Sequence, residues 1–178
     1  MAKKKKLKLS VDTVWGTLRI LLGFIFTWAF VDKLFGLGFA TCRDEAGVVS
    51  AGCKQAMIHG GSPTMGFLKF GTHGPLADFY QSLAGNTFID YLFMSALLGI
   101  GIALIFGIGM RIATVSGVLL LTMMWSATFQ PENNPLIDDH TIYSVLLVGL
   151  LMVNGKQQLG YGKQWAQTEV VKRFPILK

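Results

Sequence analysis

The apolar run from Thr13 to Phe35 constrains this chain more than any other feature. In a helix rising 1.5 Å per residue, ~20 residues cross the ~30 Å hydrocarbon layer of a bilayer, so the run is long enough to span one. Within it stand Arg19, Asp32 and Lys33. A charge at mid-helix costs roughly 2.5 to 3.5 kcal/mol on insertion scales and less near the ends, so a span that keeps charges is a functional-site hypothesis by default.

The rest of the chain continues the pattern. Three more apolar stretches follow, at about Phe88 to Phe106, Ile112 to Phe129 and Thr141 to Val153, and the last recruits flanking residues to reach full length. With 52% hydrophobic and 15% charged residues, an ordinary soluble domain is excluded. Backbone groups in lipid must satisfy one another, which leaves helices as the economical solution. The expected fold is an all-α integral membrane protein, one domain of four transmembrane helices over about 13–35, 88–106, 112–129 and 138–154. Basic tails, 1–12 and 155–178, flank the bundle.

The formal charge of +6 does not point to nucleic acid, because of how it is distributed. Lys3, Lys4, Lys5, Lys6 and Lys8, then Arg111, then Lys156, Lys163, Lys172, Arg173 and Lys178 all fall on one side of a four-span chain. The positive-inside rule puts that side, with both termini, in the cytoplasm of a cell-membrane protein. Eight of the ten acids, Asp32 through Asp139, fall on the other side, which agrees. The basic tails serve as a topology signal, with contact to anionic membrane lipid as the functional reading. The first run is too long for a signal-peptide core and reads as a retained anchor.

The connection from Gly36 to Thr87 is about fifty residues, longer than a linker needs, and segments of that kind carry structure or function. Leu76, Phe79, Tyr80 and Leu83 recur in it at helical spacing. They predict a short amphipathic helix that caps the bundle or lies on the outer membrane surface. Cys42 and Cys53, separated by ten residues in this outer segment, predict a structural disulfide, with a redox-active pair as the alternative.

Two constellations could carry chemistry. In the first span Arg19, Gly23, Phe26, Phe30 and Lys33 share one helical stripe. Arg19 and Lys33 are ~21 Å apart along the axis, so no small ligand bridges them. Snorkelling explains both cations, although a lysine at the outer end works against the charge rule. The second constellation precedes the last span, Gln130 to His140. Asp138 or Asp139 can cap that helix, whose positive N-terminus favours carboxylates. His140, Tyr143 and Ser144 then share a face, and an imidazole beside carboxylates can exchange protons near neutral pH. A plain capped helix end with Tyr143 in the aromatic belt is the competing reading. Trp125 could wall the same space. No metal, haem, flavin or iron–sulfur motif is evident, and His59 and His73 lack ligand spacing.

Arg19-x3-Gly23-x2-Phe26, Asp32-Lys33-Leu34-Phe35, Gly61-Ser62-Pro63-Thr64, Pro75-Leu76-Ala77, Gly99 to Ala113 and Asn134 to His140 form an ordered series. It resembles the DoxX/DoxD membrane proteins, and most closely the DoxD-type large subunit of thiosulfate:quinone oxidoreductase. The resemblance implies a four-helix bundle that passes electrons from thiosulfate to a membrane quinone, yielding tetrathionate, with a small DoxA-type or other redox partner subunit. One departure touches the pocket: Ala29-Phe30 stand where the family often has glycine before the Asp-Lys pair.

The expected function is therefore a quinone-linked membrane oxidoreductase subunit. Asp32, Lys33, Asp139 and His140 are its catalytic candidates, and Arg19, Trp125 and Tyr143 its quinone-binding ones. A non-catalytic scaffold that anchors a redox or envelope complex is the alternative, and a homo-oligomer is compatible with either. Transport lacks the discontinuous helices and inverted repeats that transporters show.

Overall fold

The computed structural model describes residues 10–44, 46–131, 134–153 and 159–178. Helix α1 (Val11–Phe35) begins where the Ser10 hydroxyl accepts from the Thr13 amide at 3.2 Å, and ends on Gly36 in the left-handed region, φ 66°. A short α2 (Ala77–Ser82) precedes α3 (Thr87–Phe106) and α4 (Met110–Ala127). Then come α5 (Asp139–Met152), α6 (Gly162–Ala166) and α7 (Glu169–Arg173).

Three of these, α1, α3 and α4, are long and apolar enough to cross a membrane. Only 28 to 33% of their apolar windows is buried within the molecule, so most of each apolar surface faces outward, as lipid contact requires. The fourth expected span is shorter. Helix α5 has 14 residues, ~21 Å, and the stretch that would lengthen it, 154–158, lies outside the described residues.

Packing follows chain order: α1 on α3, α3 on α4, α4 on α5, with a looser contact of α5 on α1 closing the ring. The core inside holds Leu22 and Phe26 of α1, Met94, Leu97, Ile100 and Leu104 of α3, Leu121 of α4, and Leu147 and Leu150 of α5. Small residues set the closest approach. A Cβ on Gly23 would come within 2.9 Å of the Ile105 amide, so the α1–α3 crossing tolerates only glycine there. Gly99 of α3, by contrast, faces open space.

The bundle has two distinct ends. At the turn end, Gly107 to Gly109 joins α3 to α4, and both glycines have positive φ. Residues 159–178 of the stretch expected as a basic tail are folded onto the bundle, and 155–158 lie outside the described residues. The Tyr161 amide donates to the Phe106 carbonyl at 2.8 Å, and the Arg111 amide to the Lys178 carbonyl at 3.2 Å. At the loop end, the connection from Gly36 to Thr87 folds back over α1, α3 and α4. The predicted amphipathic helix is α2, and its two faces divide: Tyr80 is buried with Leu68 and Ala127 in a second small core, while Phe79 is exposed.

Candidate functional site at the loop end

Asp32 sits in the last turn of α1 and is 1% exposed. Its Oδ1 accepts from the Phe39 amide at 3.0 Å and its Oδ2 from the Ala40 amide at 2.9 Å. Both oxygens are thus engaged by the backbone that leaves the helix, which satisfies a carboxylate that burial would otherwise penalise. Lys33 is half-buried beside it and forms no ion pair among the described residues. The same segment carries the Cys42–Cys53 disulfide, with Cα atoms 5.6 Å apart.

A second buried carboxylate does parallel work at the start of α3. Asp90, 6% exposed, accepts from Ser62 Oγ at 2.8 Å, Thr64 Oγ1 at 2.6 Å and the Thr64 amide at 3.3 Å. The sequence reading passed over Asp90. A signal was present, because it is the single charge in the Thr87–Phe106 helix and therefore met the criterion applied to Asp32. The Ser62-Pro63-Thr64 turn is its counterpart. Two carboxylates, one on each of two neighbouring helices, thus clasp the two halves of the long connection.

The third carboxylate belongs to α5. Asp138 Oδ1 accepts from the Thr141 amide at 3.1 Å, the geometry of an N-cap, while Oδ2 lies 2.6 Å from His140 Nδ1. This reassigns a role: the partner of His140 is Asp138, and Asp139 is exposed in the first turn. The N-cap position explains the choice, since it leaves one oxygen for the backbone and turns the other toward the ring two residues on. Burial pushes the Asp138 carboxyl up, but hydrogen bonds from His140 and Thr141 outweigh it and hold the group below the usual carboxylate range. Asp138 precedes α5 and lies outside the membrane-spanning helices.

The other candidates divide by end. Tyr143 is half-buried against the main core at the loop end. Ser144 donates to the His140 carbonyl at 2.8 Å, so its hydroxyl serves the helix. Trp125 donates from Nε1 to the Leu136 carbonyl at 2.9 Å and meets the Phe129 ring edge-on, pinning the α4–α5 connection. Arg19 stands apart from all of these. It is 2% exposed at the turn end, donates to the Leu159 carbonyl at 2.5 Å, and lies against Gly107 and Gly160. His59 and His73 are both exposed.

Lys33 in the last turn of α1, and the Asp138–His140 pair and Tyr143 at the start of α5, all lie at the end of the bundle that carries the cross-linked connection. Such a pair fixes which ring nitrogen faces the carboxylate and leaves the other, His140 Nε2, for proton exchange. An open apolar groove lies elsewhere, at the turn end between Phe106 and Trp165. The groove and the cluster of titratable groups thus lie at different ends of the bundle.

Comparison with known proteins finds no family model, curated sequence or solved structure that matches the chain. Its class rests on its own fold: an all-helical protein with three helices fit to cross a membrane. Two buried carboxylates hold its loop end.

Proposed function

We propose that this chain is the membrane subunit of a quinone-linked oxidoreductase of the DoxX/DoxD type, with four spans and both basic ends in the cytoplasm of the cell membrane. The loop end then faces outward, and the substrate there is thiosulfate. The reaction balances as two thiosulfates joining through a new S–S bond into tetrathionate. The two electrons released, with two protons, reduce one quinone to quinol.

The observation that carries this reading is the His140–Asp138 pair at 2.6 Å. Quinone reduction needs a group that delivers protons beside the carbonyl oxygens, and His140, held at Nδ1, presents Nε2 for that task. Lys33 supplies positive charge for an anionic sulfur substrate or a quinone carbonyl. Tyr143 and Trp125 line the space. Arg19 takes no part in this site, and Asp32 positions Lys33 by fixing the chain around it. A small redox partner subunit of the DoxA type, or a second copy of this chain, completes the electron path.

A scaffold reading draws support from a specific feature: both oxygens of Asp32 and Oδ1 of Asp90 hold the connection. That suits a rigid docking platform as well as an active site. Turnover separates the two. Full-length protein with thiosulfate and a soluble quinone analogue, assayed with and without the partner subunit, reduces the quinone. Lys33→Ala and His140→Ala each slow it by about a hundredfold or more. A flat wild-type trace in the presence of partner leaves only the scaffold.

A further inference from the structure

The turn end holds an open apolar groove lined by Phe106, Ile108, Tyr161, Gln164, Trp165 and Thr168. It lies between the α3–α4 turn and the folded-back segment 159–178, at the depth where two membrane-spanning helices end. Tyr161, Val170, Phe174 and Ile176 of that segment are 53 to 63% exposed. Interleaved with them are Lys163, Lys172, Arg173 and Lys178, against the single acid Glu169. Exposed aromatic and aliphatic side chains mixed with cations suit the boundary between headgroups and acyl chains.

The segment is also fixed in place. Arg19 holds the Leu159 carbonyl, Trp165 Nε1 donates to the Leu177 carbonyl, and Arg111 donates to the Pro175 carbonyl. Lys163 is the chain neighbour of groove residue Gln164, and Lys172 lies one turn beyond groove residue Thr168 on the same helical face. The ion pair of Lys172 with Glu169 is exposed, and such pairs exchange readily for a stronger anion.

We infer that the turn end carries a binding site for an anionic glycerophospholipid, with an acyl chain in the groove and the phosphate on Lys163 and Lys172. The occupant follows from charge complementarity: an apolar groove in a segment that carries Lys163, Lys172, Arg173 and Lys178, at the end of two long apolar helices, matches a lipid with a negative headgroup. The site is independent of the redox reading, and of which face of the membrane the turn end occupies.

Native mass spectrometry on the full-length protein in detergent, with equimolar phosphatidylglycerol and phosphatidylcholine of identical acyl chains, tests it. The wild type retains phosphatidylglycerol about fivefold or more over phosphatidylcholine, the factor expected from a basic residue at an anionic headgroup. Lys163→Gln with Lys172→Gln abolishes the preference. Gln164→Trp fills the groove with the charges intact and reduces the retained lipid. Lys54→Gln with Lys69→Gln, at the loop end, leaves the preference unchanged. An unchanged thermal midpoint certifies that each variant is folded. No preference in the wild type, or a preference that survives either the double variant or the filled groove, overturns the site.

Discussion

Asp32, Asp90, Asp138 and Asp139 differ in burial and in partners, and so in the work they do. Asp32 and Asp90 hold the connection, Asp138 caps α5 and orients His140, and Asp139 is exposed. Asp32, Lys33 and His140 were legible in the sequence as candidates, because charges in apolar runs and an imidazole beside a helix start are visible as such. Their division of labour was not. The groups that satisfy Asp32 are backbone amides of a loop, and no periodicity encodes which amides a loop returns to a helix end. Asp32→Asn replaces one acceptor by a donor facing an amide, so stability in detergent should fall by about 1 to 3 kcal/mol, read from chemical or thermal unfolding. Asp138 gives a pH signature. Its folded carboxyl lies below the ordinary range, so its stabilisation is fully present above the unfolded value, ~3.9, and is lost as pH falls through the lower folded one. An unfolding series below about pH 5 should show this loss in the wild type and a weaker one in Asp138→Asn.

At the scale of elements, hydropathy located the long helices to within two residues at each end, since lipid exposure demands long apolar runs. The expected 13–35, 88–106 and 112–129 are observed as Val11–Phe35, Thr87–Phe106 and Met110–Ala127. The last segment, expected over 138–154, is helical over Asp139–Met152, with Asp138 as its cap. The segment after α5 was read as a tail because its helices are single turns, too short to show a period; contact with the α3–α4 turn holds them. The cysteine spacing suggested a bond, and the bond is present. Its role follows from what surrounds it: the loop from Asp32 through Ala56 is closed by backbone hydrogen bonds and this single cross-link. Cys42→Ser with Cys53→Ser should therefore lower stability by about 3 kcal/mol, the chain-entropy value for a loop of this length. Quinone reduction should persist in the double variant at a temperature where it stays folded. Loss of turnover in folded protein would instead place the cysteines on the electron path.

The whole molecule is a helical ring with two unlike ends. The loop end is clasped, cross-linked and supplied with His140, Asp138 and Lys33; the turn end is braced by Arg19 and opens into an apolar groove. The charges of the first span thus serve separate ends: Arg19 anchors the folded-back segment, and Asp32 holds the backbone that leaves α1, with Lys33 beside it. For the proposed quinone chemistry the loop end is the expected place, and the turn-end groove, assigned above to a lipid, is the comparison. Photolabelling of the full-length protein in membranes with an azido-quinone, followed by peptide mapping, discriminates between them. Label on α1 around Lys33 and on α5 from His140 to Tyr143, competed by unmodified quinone, is the expected result. Label confined to Phe106, Tyr161 and Trp165 would contradict a redox site at the loop end.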